Sequence, residues 1–249
     1  MSGHSRWAKI KHTKGAADAK RGKIYTKLIR EITTAARIGG GDANGNPRLR
    51  KAIDLAKAAN MPGDTIDRAV KKGTGELEGA AYEEINYEGY GPGGVALLIQ
   101  VMTDNKNRTV AEIRHVLQKY NGNMASAGAV AWVFEDKGVL AVAKPNATED
   151  QLMELTLDAG AQEITDAGDE WEIQTEASSF EAVKGVLEKA KIAVARGEVT
   201  KLAKNSVKVS GGEAATTLRL VEALEDNDDV QHVYANFDIS DEELARLSA

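Results

Sequence analysis

Residues 138–175 read GVLAVAKPNATEDQLMELTLDAGAQEITDAGDEWEIQT, and the order of patterns in this stretch decides the fold. Residues 139–143 are a short apolar run of strand type. Thr148 and Gln151 then stand at capping-box spacing ahead of a segment with helical periodicity, so a helix opens there. Residues 162–166 and 171–175 follow as two strands across a glycine-containing turn. Just beyond, Ser178 and Glu181 repeat the capping-box spacing before a second helix, and residues 192–196 give a fourth strand. The order βαββαβ is that of a ferredoxin-like domain, expected over residues 136–205.

Upstream, strands are expected at residues 82–88 and 95–103. A helix opens on the capping box Thr109/Glu112 and ends near Gly122, and residues 129–134 form another strand. Downstream, a helix over 213–225 and a strand over 230–237 are too few elements to stand alone. They are expected to complete the domain begun at residue 79, so that 79–135 and 206–249 form a discontinuous α/β domain around the insertion. Residues 1–78 read as a helical domain. Ile24, Leu28, Ile29, Ile32, Ala35 and Ala36 line one face of a helix over 23–38 that Gly39-Gly40-Gly41 ends. A second helix opens at Asn46-Pro47, a cap followed by proline at the first helical position. A third runs from Asp64 to Gly73. The expected class is α+β: an N-terminal helical bundle plus two ferredoxin-like α/β domains, one inserted in the other.

Charge is divided as sharply as structure. Residues 1–72 carry 17 Lys/Arg against 6 Asp/Glu, whereas residues 73–249 carry 15 against 32, in a chain of net charge −6. Such asymmetry points to an anionic partner at the basic end. The lesser alternative is a basic domain docked on its own acidic neighbours. No apolar run reaches the ~18 residues of a membrane span, and the first thirty residues lack a secretory signal pattern, so a cytoplasmic protein is expected. Cysteine is absent, which excludes disulfides and thiolate chemistry.

On the first helix Lys20, Lys23, Lys27, Arg30 and Arg37 fall within an arc of about 100° beside the apolar face. They are expected to form an outward positive flank, with Arg21 nearer the apolar side. Ahead of them Arg6, Lys9, Lys11, His12 and Lys14 lie in a segment without apolar periodicity, expected to be an extended or mobile arm. Trp7 either stacks on a base or anchors in apolar space. The candidate nucleic-acid-binding set is Arg6, Trp7, Lys9, Lys11, His12, Lys14, Lys20, Arg21, Lys23 and Lys27, acting through displacement of condensed counterions.

Other motifs carry less chemistry. Gly89-Tyr90-Gly91-Pro92-Gly93-Gly94 matches G-x-G-x-x-G, but an apolar strand follows where a helix is required, so it is read as a turn. His4, His12, His115 and His232 are too scattered for a metal set. The run from Glu222 to Asp229 lacks the pattern of a calcium loop and is read as a solvated helix end. Residues 104–108 are either a binding loop or a simple turn. No catalytic residue, metal or cofactor is expected.

Five motifs in order carry a resemblance: GHSRWAKIKH (3–12), DAKRGKIYTKL (18–28), YEGYGPGG (87–94), TDNKNRT (103–109) and VYANF (233–237). Together they resemble the YebC/PmpR family, whose mitochondrial relatives are translational activators of cytochrome c oxidase subunit I. The resemblance implies three domains and no enzymatic role. Some members are described as DNA-binding transcriptional regulators; others look like ribosome-associated translation factors. The expected partner is accordingly DNA, ribosomal RNA or both, with no membrane and no small-molecule substrate. A small-molecule-sensing module is the remote alternative.

Overall fold

The computed structural model of the chain describes residues 18–248. Three helices come first: α1 (Asp18–Gly39), α2 (Pro47–Ala58) and α3 (Gly63–Thr74). Asn46 caps α2, its side chain accepting from the Leu49 amide at 3.1 Å. The same side chain donates to the carbonyls of Ala35 and Gly40 at 2.8 and 2.9 Å, which ties the end of α1 to the start of α2. Ile32, Ala35, Ala36, Leu49, Ala52, Ala56, Ile66 and Ala69 fill the space between the helices. Gly73 is not the terminator expected from sequence. The helix runs on to Thr74, where Gly75 adopts φ +83°, and Gly73 is needed because α3 crosses α1 there. A Cβ on it would lie 2.4 Å from the Thr33 carbonyl oxygen and 2.6 Å from the Ala36 Cβ. Gly73→Ala is expected to destabilise the helical domain by about 1–3 kcal/mol through overpacking. Urea unfolding checks this, and an unchanged midpoint would contradict it.

The rest of the chain begins with β1 (Glu83–Tyr90), β2 (Ala96–Thr103), α4 (Lys106–Lys119), β3 (Asn123–Ala125) and β4 (Phe134–Ala143). Then come α5 (Glu149–Thr156), β5 (Ala161–Asp166), β6 (Glu170–Glu176), α6 (Phe180–Lys189) and β7 (Val194–Ala203). The last elements are β8 (Val207–Lys208), α7 (Gly211–Glu225), β9 (Val230–Ala235), β10 (Phe237–Asp238) and α8 (Asp241–Ser248). They form a first sheet of order β3-β1-β2-β9, a second of order β5-β6-β4-β7, and the short pair β8-β10.

In the first sheet β9 pairs antiparallel with β2, placing Ala235 opposite Leu97 and Val233 opposite Ile99. Strands from both sides of residues 136–205 therefore share one sheet. Leu97, Ile99 and Val101 pack with Ile113 and Leu117 of α4 and with Leu220 and Leu224 of α7. Ala96 and Leu98 point the other way and meet Val130, Val133 and Phe134. Both faces of β2 are covered, which explains its nearly continuous apolar sequence. The β1–β2 connection is a tight turn in which Gly93 and Gly94 hold φ +68° and +80°; a strand follows, so this glycine motif meets no helix N-terminus.

The second sheet is fully antiparallel in the strand order of a ferredoxin-like βαββαβ unit. The first has the same composition of four antiparallel strands and two helices, but a hairpin joins its two central strands. Phe134 and Ala203, paired at one end of the second sheet, pack against the back of the first and join the two layers.

Local signals meet different fates. The Thr148/Gln151 capping box is fully formed. The one expected at Thr109 is not: Asn105 caps α4 by accepting from the Arg108 amide at 3.1 Å, and Thr109 lies inside the helix. The Ser178 box is likewise unformed, because residues 177–179 make a 3-10 turn ahead of α6. Residues 129–134 give a 3-10 turn at Ala131–Val133 instead of a strand, and β3 has no counterpart among the expected elements. Among the described residues no helix is long and apolar enough to cross a membrane.

Candidate nucleic-acid interface

The helical domain sits on the first sheet through a charged seam centred on Asp229. This side chain is 4% exposed and lies just ahead of β9. Its carboxylate pairs with Arg30 of α1 and accepts from Arg108 of α4 at 2.9 Å. The hydroxyls of Thr103 and Thr109 also donate to it. Arg30 in addition donates to the Met102 carbonyl at 2.8 Å and lies over the Tyr82 ring at 5.2 Å. Burial pushes the Asp229 carboxyl up, but the hydrogen bonds from Thr109, Arg108 and Arg30 outweigh it and hold the group down at about 2. The sequence places Asp229 in a solvated helix end; it is instead one of the few buried acids among the described residues, because three elements aim donors at it. Residues 104–108, expected as a binding loop or turn, carry Asn105 as the α4 cap and Arg108 as part of this seam.

The seam extends along α1 in both directions. Lys27 donates to the Glu225 carbonyl at 2.7 Å, and Lys23 pairs with Asp226 at 3.2 Å. Arg37 donates to the Tyr82 carbonyl. Arg48 of α2 bridges Glu31 of α1, at 2.7 Å, and Glu84 of β1; the Glu31 bond chiefly raises its pKa. The basic flank of α1 is expected from sequence to face outward. In the structure Lys23, Lys27, Arg30 and Arg37 face the α/β domain, since the turn after α7 and the start of β1 offer carboxylates and carbonyls at matching spacing. Docking on an acidic neighbour thus takes up part of the basic excess.

Of the candidate binding residues, Arg21 is exposed at the outer end of α1. Lys20 lies on the same helix. Arg6, Trp7, Lys9, Lys11, His12 and Lys14 lie outside the described residues. Sequence reasoning does not single out Arg50, Lys51, Lys57, Lys71 and Lys72. These are exposed on α2 and α3 and make no ion pair among the described residues. The only signal for them is the overall charge count, because they follow no named motif.

The fold and charge distribution define an α+β protein whose basic helical domain is clamped to the first of two acidic sheet domains. The chain belongs to the TACO1/YebC family: residues 5–76 match the TACO1/YebC protein N-terminal domain and residues 82–237 the TACO1/YebC second and third domain. A Geobacter sulfurreducens protein is 56% identical over 99% of this chain and 100% of its own length. A Desulforapulum autotrophicum protein is 56% identical over 97% and 98%, and both carry the name probable transcriptional regulatory protein. The crystal structure of a conserved hypothetical protein from Aquifex aeolicus superposes with TM-score 0.78 at 44% identity, covering 90% of this chain and 93% of that one.

Proposed function

We propose that this chain is a nucleic-acid-binding regulatory protein, in first reading a DNA-binding transcriptional regulator, that carries out no chemical reaction. The observation that carries the reading is the concentration of basic charge in residues 1–72 of an otherwise acidic chain. The seam consumes some of it, but Arg50, Lys51, Lys57, Lys71 and Lys72 remain exposed beside it. The names of the relatives support the same reading. Residues Arg6, Lys9, Lys11, His12 and Lys14 with Lys20 and Arg21 grip phosphates, and Trp7 stacks or anchors beside them. The net negative charge of the sheet domains disfavours broad contact with the same polyanion and so sets the orientation in which the helical domain meets it. The cytoplasm is where such a partner is met.

Two measurements on one preparation test this. A transcriptional regulator retains a preferred duplex in excess competitor DNA. A ribosome-associated translation factor cosediments with ribosomes and is released at high salt. Binding to neither overturns the proposal.

A further inference from the structure

Far from the basic helices, the outer edge of the first sheet carries an unusual surface. Trp132, at the centre of the Ala131–Val133 3-10 turn, is 63% exposed. Its indole Nε1 donates to the Ala129 carbonyl at 2.9 Å, fixing the ring, and Tyr90 donates to the same oxygen at 3.3 Å. The turn is built around a buried carboxylate. Glu88 of β1, 6% exposed, accepts from the amides of Gly128 at 2.7 Å, Val130 at 2.6 Å and Ala131 at 3.0 Å. An ionised group is thus placed in the interior to satisfy a loop that holds a tryptophan out in solvent, where an apolar ring has nothing to gain from water.

What lies beside the ring indicates its ligand. A shallow cavity lined by Arg114, Gln118, Asn123, Met124, Ala125 and Ser126 opens next to the turn. The carbonyl of Ser126 accepts from the Ala129 amide at 3.1 Å, so two hydrogen bonds connect the cavity rim to the indole. Arg114 is exposed and makes no ion pair among the described residues. Residues 113–134 contain Arg114, His115 and Lys119 and no Asp or Glu, inside a region that is otherwise strongly acidic. A fixed aromatic face, amide donors and acceptors, and an exposed arginine with no ion pair among the described residues are the parts of a platform for unpaired bases and their phosphates.

We infer that the Trp132 turn and the Arg114–Asn123 cavity bind a segment of single-stranded nucleic acid, with one base stacked on the indole and a phosphate met by Arg114. This rests on the nucleic-acid reading above and adds to it a second, stacking contact remote from the helical domain. A duplex, whose bases are already stacked on one another, has no face to offer the ring.

The test measures binding of the full chain to a single-stranded oligonucleotide of about fifteen residues, as RNA and as DNA, and to the matching duplex. Trp132→Ala is expected to weaken single-strand binding roughly tenfold, the loss of one base–aromatic stack, and to leave duplex binding and the salt slope unchanged. Trp132→Phe restores most of the affinity. Arg114→Glu weakens single-strand binding and lowers its salt slope by about 0.7. In a Trp7→Phe, Trp171→Phe background, single strands quench the remaining indole fluorescence. Single-strand affinity unchanged in Trp132→Ala, or the same loss on duplex, overturns the inference while the helical-domain reading stands. Failure of the unsubstituted chain to bind any nucleic acid overturns both.

Discussion

Asp229→Ala is expected to destabilise the folded chain by about 3–5 kcal/mol, the range for removing one partner of a buried ion pair. The cause is Arg30. Its side chain is only 12% exposed and faces Asp229 and the Met102 carbonyl, so without the carboxylate a nearly buried guanidinium loses its counter-charge. Arg108 keeps Asp104 at 2.9 Å and suffers less. The helical domain should loosen from the first sheet, exposing residues 75–82 to limited proteolysis. Acid should act on the same group. The folded carboxyl is held at about 2 against about 3.9 in an unfolded chain. A depressed acid contributes stability that is complete above about pH 4 and lost as pH falls toward 2, roughly 2–3 kcal/mol in all. Denaturant midpoints that neither fall in Asp229→Ala nor decline over that pH window would refute the clamp.

Reversing Lys9, Lys11, Lys14 and Lys20 to Glu together is expected to weaken polyanion binding by on the order of a thousandfold at about 0.1 M salt, and to reduce the salt slope by about 0.9 for each phosphate that is no longer neutralised. Lys23→Glu supplies the contrast. Its ammonium pairs with the exposed Asp226, so the substitution should cost no more than about 1 kcal/mol of stability and little of the salt slope. Fluorescence anisotropy with labelled nucleic acid reads both. A fourfold reversal that binds like the parent would remove these lysines from the interface.

Much of this architecture is legible in the sequence because its determinants are local. Asn46-Pro47 opens α2 as a cap and first-turn proline do anywhere. The Thr148/Gln151 pair forms its capping box with partners three residues apart. The strand order of the inserted unit follows from βαββαβ. Sequence patterns mislead where a distant partner decides the outcome. Thr109 has the spacing of a cap, but its hydroxyl is drawn to Asp229, 120 residues away. Asp229 itself sits in an acidic run that reads as solvated, and only the convergence of α1, α4 and β2 buries it. The same applies to Lys23 and Lys27: helical periodicity places them on one flank correctly, but what that flank faces is set by the turn after α7. Trp132 gives no signal at all, because exposure of an aromatic ring depends on how Glu88 shapes the turn around it.

Whether the basic helical domain meets a polyanion beyond the seam it makes with its own carboxylates is decided by titrating the full chain with nucleic acid and with ribosomes across a range of salt concentrations. Measurable affinity for at least one of them is expected, falling linearly on a log–log plot with a slope of about −4 or steeper. A flat line, or no binding at low salt, would leave the basic charge with no role outside the seam.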